Sequence, residues 1–492
     1  MTIPALRRPF GQETSVPAPL AFGVAPKALP LLGHSLRLRR DPLRFLEELP
    51  AHGDLVQIRI GPQRAYVLCH PDLAHQVLRD DRTYDKQGLL WDQLQELLGD
   101  GLATCPHSGH RRIRRMVQPA FRRDRFGRYA QVMTKSAAAV ADRWQHGRQI
   151  DVAAEMNAIT AGTLIKTLIA GNFSDADITS IHQGLHFIQD SQFRRMLTPR
   201  LLEKLPTPGN RRARRAIGQL RETLQKIITE YRQSGTDHGD VLSMLLASRN
   251  EEGQGLTDLQ IWDQVVTIFL AGTETTATAL CWALHLLAAH PDIEHELHRE
   301  VDSVLGGRTA TFDDVPQLTL CGAVVQEALR LYPPAWLLTR SVTAPTTLAG
   351  HRLGPGDIVV CSPYLIHRDE GLYSDAGRFD PHRWEGAKRP PRGAYIPFSA
   401  GARQCVGDVF GTTEAVLALS VIAGRWRLRP KPGSALRPVA RMALMPEPKT
   451  MRTLERSPNR EETRLIAPAE NAEGEPDASA TAASPAKTGK KH

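Results

Sequence analysis

Apolar residues recur with a helical period over four long segments, 128–145, 212–233, 259–290 and 317–332, each broken by proline or glycine. A chain patterned in this way is mostly helical. Alternation of the strand kind is short by comparison. Residues 54–60 and 65–69 flank a Gly-Pro turn and predict a hairpin, and two further runs lie near 337–342 and 357–361. The predicted fold class is therefore mainly α with a small β region, drawn from 54–69 and 337–361.

Composition agrees with a packed protein: of 492 residues, 41% are hydrophobic and 23% charged. Residues 1–25 are predicted to be an N-terminal arm, rich in Pro, Ala and Gly, and 26–453 one large domain. The remainder, 454–492, reads as a tail. From Ala467 onward it has no aromatic residue and no Leu, Ile or Val, so it cannot bury enough apolar surface to offset the entropy of ordering, and disorder is predicted for 467–492. A membrane span needs about 20 nearly uninterrupted apolar residues, and the sequence suggests none, so no membrane anchor and a cytoplasmic location are expected. Six cysteines lie far apart with no CxxC pair, which argues against a disulfide framework and a zinc site. The net charge of +9 comes without the spacing of a nucleic-acid-binding motif, so an acidic protein partner is expected and no nucleic acid.

One cysteine stands in a distinctive loop. Phe398-Ser-Ala-Gly-Ala-Arg-Gln-Cys-Val-Gly407 precedes a helical run over 408–423, which places Cys405 near a helix N-terminus, where unpaired N–H groups and the dipole favour thiolate. Gly401 is free to take a positive-φ turn, Gly407 leaves room for a flat group, and Arg403 can clamp an anion carried by the same ligand. A soft thiolate, a flat partner and a carboxylate clamp together fit haem. An isolated cysteine is more often a buried small hydrophobe, but this loop matches F-x-x-G-x-R-x-C-x-G at every defined position and so resembles the cytochrome P450 family. The resemblance implies the triangular haem-thiolate fold, with Cys405 as axial ligand of haem b (iron protoporphyrin IX), Arg403 at a propionate, Phe398 shielding the sulfur and Gly407 beside the cofactor. Thiolate donation favours O–O cleavage.

Three further stretches carry the likeness over roughly 26–453. Glu327-Ala-Leu-Arg330 puts a carboxylate and a guanidinium on one helix face, and by resemblance Arg383 of Phe379-Asp-Pro-His-Arg-Trp384 closes a network with them; His382 and Trp384 stand where Glu and Phe are commoner. In Ala271-Gly-Thr-Glu-Thr-Thr276, small residues leave space inside a long apolar helix, and the Thr275 hydroxyl can compete for the Ala271 carbonyl. The resemblance makes Glu274 and Thr275 the acid-alcohol pair that relays protons to dioxygen. Similar segments place His110 and Arg114 against haem propionates, and Arg340 likewise. Around Asp85-Lys-Gln-Gly88, 107–121 and 404–411 the chain is similar to actinobacterial sesquiterpene oxygenases of the pentalenene-oxidising kind.

The implied activity is insertion of one oxygen atom from dioxygen into an apolar small molecule, a terpene being the expected class. With no flavin, nicotinamide or iron–sulfur motif in the sequence, NAD(P)H-derived electrons are expected through an acidic ferredoxin or flavodoxin with its reductase. Arg111, Arg112, Arg115, Arg122, Arg123 and Arg125 offer a basic docking face. A monomer is expected. The alternatives are an electron-independent isomerase or peroxygenase and a haem-binding sensor without turnover; the Glu274-Thr275 pair disfavours both. Expected pocket walls are Leu89, Leu90, Trp91, Leu94, Phe187, Ile188, Val266, Phe269, Ala271 and 336–338, all uncharged.

Overall fold

The computed structural model describes residues 19–170, scattered positions between 177 and 187, 207–386 and 390–456. The predicted disordered tail at 467–492, residues 1–18 of the arm and Ile188 lie outside the described residues. The helices used below are α1 (Ser35–Arg40), α2 (Leu89–Leu98), α3 (His107–Val117), α4 (Phe126–Ala141), α5 (Val152–Leu168), α6 (Pro208–Ser234), α7 (Asp258–Ala289), α8 (Thr319–Leu331) and α9 (Asp408–Arg425). All four predicted helical segments form, as α4, α6, α7 and α8.

Helix α7 begins at a reciprocal cap: the Thr257 hydroxyl accepts the Gln260 N–H at 3.2 Å, and the Gln260 side chain accepts the Thr257 N–H at 3.1 Å. From there it is apolar on almost every face and runs through the centre of the main core, packed on α5, α8 and α9. The expectation that no segment is apolar enough to span a membrane is corrected here. By length and composition α7 qualifies, but 78% of its most apolar window is buried within the fold.

Six strands form one sheet: β1 (Phe22–Val24), β2 (Leu55–Ile60), β3 (Gln63–Leu68), β4 (Tyr84–Asp85), β5 (Leu338–Val342) and β6 (Ile358–Cys361), in the order β1-β2-β3-β6-β5-β4. The predicted hairpin is β2–β3, in register Leu55↔Leu68, and the later two runs are β5 and β6, paired antiparallel with Leu338 opposite Cys361. Two corrections follow. The arm contributes β1, parallel to β2 with Phe22 opposite Leu55; three residues are too few to show alternation. The β region also extends past 361: Trp426–Pro430 pairs with Thr450–Glu455, which pairs with Gln149–Asp151, while Arg437–Ala440 pairs with Leu444–Glu447.

Candidate active site

The loop before α9 is built on main-chain contacts. The Cys405 N–H donates to the Phe398 carbonyl at 2.9 Å. Gly401 takes the expected left-handed conformation, φ +69°, and a Cβ there would stand 2.5 Å from the Leu78 carbonyl oxygen. At Gly407 a Cβ would meet Phe121 and the Cys405 sulfur only at ordinary contact, 3.7 and 4.0 Å, so no protein neighbour demands glycine there. Cys405 is the one exposed cysteine of the six, yet it stands deep enough among protein atoms to be desolvated. That burial outweighs the Gly407 N–H and the nearby Arg114, and pushes the thiol up rather than down. The expected thiolate-favouring pKa is therefore not a property of the helix terminus alone; a cation at the sulfur is what would shift it.

Helix α7, which packs on α9, changes character at its middle. Ala271 is exposed, and Gly272, Glu274 and Thr275 are half-buried, within a helix otherwise buried on both sides of the turn. The Thr275 hydroxyl donates to the Ala271 carbonyl at 2.7 Å, as its sequence position suggested. A second hydroxyl reaches the same turn from α5, Thr160 donating to the Thr273 carbonyl at 3.0 Å. The helix meets α9 here, since a Cβ on Gly411 would lie 3.2 Å from the Thr276 hydroxyl.

The predicted cationic residues gather on the other flank. Arg403 is buried and donates to Asp81 (3.3 Å), Asp85 (2.9 Å) and the Cys105 carbonyl (2.7 Å), so three of its N–H groups are answered by the protein itself. Arg340 is buried with a single hydrogen bond, to the Thr339 carbonyl at 2.8 Å, and no ion pair among the described residues. His110 is buried beside Arg403 and Lys86, which with desolvation bring it down to about 4, so it is neutral at pH 7. Arg114 donates to the Gln404 carbonyl next to Cys405. Lys86 joins this group although it was not among the expected site residues. Its ammonium donates to the Ala103 carbonyl at 2.8 Å and lies 4.8 Å from the Trp91 ring centroid, and burial with Arg340 and Arg403 nearby holds its pKa well below the usual lysine range. The adjacent Asp85-Lys86 pair carries the signal in the sequence. Among the described residues the carboxylates near Lys86, Arg340 and Arg403 are Asp81 and Asp85, a local surplus of positive charge that suits a flat ligand bearing two carboxylates. Together with an exposed cysteine at the start of α9 and a turn of small residues on the helix that α9 packs against, this donor set fits haem.

Two braces hold the frame. Glu327 and Arg330, both fully buried, pair through two bonds of 2.9 and 2.7 Å, and Arg383 joins at 3.1 Å, so the expected network forms. Trp384 adds a bond no phenylalanine could make, its indole N–H donating to Glu327 at 2.9 Å. The second brace ties the chain after α2 to α7: Asp100 N–H donates to Asp263 (3.0 Å) and Leu102 N–H to Gln264 (2.9 Å), while Trp91 at the other end of α2 donates to the Thr339 carbonyl (3.3 Å). Of the expected pocket walls, Val266 and Phe269 are fully buried in the main core and line nothing. Ala271 and residues 336–338 keep surface, although Trp336 is tied by its N–H to the Arg441 carbonyl at 2.9 Å.

The model of the family described as Cytochrome P450 matches residues 24–454. The chain is 47% identical to cyclooctatin synthase of Streptomyces melanosporofaciens, over 87% of this chain and 94% of that protein. It is 44% identical to pentalenene oxygenase of Streptomyces avermitilis, over 87% and 96%. A further relative from Streptomyces melanosporofaciens, cyclooctat-9-en-7-ol 5-monooxygenase, is 44% identical over 85% of this chain and 92% of its own length. Among solved structures, the haem domain of cytochrome P450DA superposes with a TM-score of 0.78 at 26% identity, covering 89% of this chain and 99% of that one. With the family match over nearly the whole described chain and these relatives, the exposed cysteine and the cations beside it fall into place: the chain belongs to the cytochrome P450 family, and it is a haem-dependent monooxygenase, an oxidoreductase that takes electrons from a partner protein.

Proposed function

We propose that this enzyme oxidises an uncharged terpene. The observation that carries the reading is the trio of relatives, one named for pentalenene, one for the alcohol cyclooctat-9-en-7-ol and one for cyclooctatin. The uncharged residues that keep surface near the site, Ala271 and 336–338, agree with it. A carboxylate brought into such surroundings without a partner would cost several kcal/mol, whereas apolar burial contributes about 25 cal/mol per Å².

Haem bound here supplies dioxygen activation. Cys405 would ligate its iron, with Phe398 shielding the sulfur and Gly407 beside the ring; His110, Arg114, Arg340 and Arg403 would hold its carboxylates, and the position of Lys86 beside Arg340 and Arg403 supports a share in that role. His110 serves as a neutral imidazole donor rather than a cation. Glu274 and Thr275 deliver protons, the threonine hydroxyl turning from the Ala271 carbonyl to do so. Electrons derived from NAD(P)H arrive through an acidic ferredoxin, or a flavodoxin, and its reductase, in the cytoplasm. The arginines of α3 and the following segment form the docking face. Phe121, within this segment, lies next to Gly407, which supports docking near Cys405.

Titration of the holoenzyme with a sesquiterpene hydrocarbon and with a fatty acid of matched carbon number tests the substrate class. The hydrocarbon should produce the low- to high-spin shift, and a shift with the acid alone would refute the terpene reading. The ligand assignment is tested separately with Cys405→His, which should lose the red-shifted carbon monoxide band of thiolate ligation.

A further inference from the structure

Six of the nine exposed large hydrophobics among the described residues fall between Val24 and Ile60. Five of them, Leu29, Leu31, Leu32, Leu36 and Ile60, are gathered by main-chain bonds. Leu29 and Gly33 exchange N–H···O=C bonds of 2.9 and 2.8 Å, which close a tight loop, and the Leu32 N–H donates across its tip to the Pro30 carbonyl at 2.7 Å. The loop is fastened to the end of β2: Gly33 bridges to Ile60, the Gly61 N–H donates to the Leu32 carbonyl at 3.2 Å, and the Arg59 N–H donates to the buried His34 ring at 3.0 Å. Only glycine fits at 33, where φ is +57° and a Cβ would stand 2.4 Å from the Arg59 carbonyl oxygen.

The loop thus holds Leu31 rigidly outward, 92% exposed and at φ +62°. An i to i+2 bond around a residue at positive φ is the strained form of the γ-turn, and leucine gains nothing from that conformation. Strain that keeps an apolar side chain in water points to a partner for it. Surrounding charge says which partner. Lys27, Arg39, Arg40 and Arg59 are exposed around the loop, and none forms an ion pair among the described residues. The nearby acids are already engaged: Glu48 by Arg37, Glu47 by the Tyr364 hydroxyl, and Asp41 by the Arg44 N–H it caps.

We propose that this face docks on an anionic lipid bilayer. The Pro30-Leu31-Leu32 tip enters the boundary between headgroups and acyl chains, and Lys27, Arg39, Arg40 and Arg59 meet lipid phosphates. An apolar tip with an uncompensated basic rim is the composition of an interfacial anchor, and the inference does not depend on the substrate assigned above.

The test is co-sedimentation of the full-length holoenzyme with vesicles of phosphatidylcholine alone and of phosphatidylcholine mixed equally with phosphatidylglycerol. Binding to the mixed vesicles, weakened by added salt, is expected. Leu31→Asp with Leu32→Asp should lower the partition coefficient about tenfold or more, and Arg39→Glu with Arg40→Glu about tenfold on the anionic vesicles only. Haem content and the carbon monoxide band, which none of these residues touches, report correct folding of both variants. The proposal is overturned by absence of binding to mixed vesicles at low salt, or by binding that Leu31→Asp with Leu32→Asp leaves unchanged. A concentration-dependent dimer that the same variant abolishes, with no lipid binding, would assign the face to a second copy instead.

Discussion

Glu327 is a fully buried carboxylate answered by Arg330, Arg383, the Asp380 N–H and the Trp384 indole. Since a buried acceptor stripped of a donor costs about 1–3 kcal/mol, Trp384→Phe should destabilise the fold by that order, read as a lower denaturant midpoint at unchanged slope, even though phenylalanine is the commoner residue there. Glu414 is the opposite case. It is fully buried on α9, with the Thr163 hydroxyl nearby and neither oxygen in a hydrogen bond of normal geometry among the described residues, and burial raises its carboxyl to about 8. Its folded state therefore binds the proton more tightly than the unfolded chain, whose glutamate titrates near 4.5. This contribution to stability is complete below that value and is lost as pH rises towards about 8, by an order of a few kcal/mol. Glu414→Gln should flatten that slope, as urea melts at pH 5 and pH 8 would reveal. At this scale the sequence was uneven. Cys405, Arg403 and Glu327 were legible because fixed spacings mark them, whereas Lys86 and Glu414 were not, since their significance is burial and burial of a single charged residue leaves no pattern.

The elements were legible where they are long. Segment 259–290 corresponds to α7, yet the same apolar composition misled the reading of its faces: Val266 and Phe269 are buried in the core, and Ala271, two residues beyond Phe269, is exposed. A helix apolar all round offers no stripe from which to tell a core face from a cavity face. The strands at 426–455 were missed even though Trp426-Arg-Leu-Arg alternates: Trp426–Pro430 pairs with Thr450–Glu455, whose other partner, Gln149–Asp151, lies far back in the chain, and no local pattern announces so distant a pairing. The turn of α7 at 271–275 did match its sequence reading. Thr275→Ala removes the hydroxyl bonded to the Ala271 carbonyl and should leave haem and substrate binding intact while NAD(P)H consumption runs off into peroxide. General acid–base catalysis is worth about 100- to 10,000-fold, and coupling of product to NAD(P)H equal to the parent enzyme would show that no proton passes there.

For the molecule as a whole, the charge of +9 is unevenly placed. On the proposed ferredoxin face two arginines are already answered, Arg115 by Glu251 and Arg122 by Asp124, while Arg111 and Arg123 are exposed without an ion pair among the described residues. Charge reversal with Arg111→Glu and Arg123→Glu should slow reduction by an acidic ferredoxin, most visibly below the ionic strength at which the Debye length is about 8 Å, and leave reduction by dithionite as it was. Equal slowing of both would mean a damaged haem site. The two hydroxyl bonds to the carbonyls of Ala271 and Thr273 reach further than the site itself. Amide exchange with heavy water should be slowest across the buried helices, since their amides open only when much of the molecule does. At Thr275 and Ala277, whose carbonyl partners four residues back already hold a hydroxyl in reserve, the ladder can part without leaving an acceptor bare. Deuterium should therefore enter α7 first at its middle, ahead of both buried flanks, and Thr160→Val should slow that entry at Ala277 while leaving Thr275 untouched.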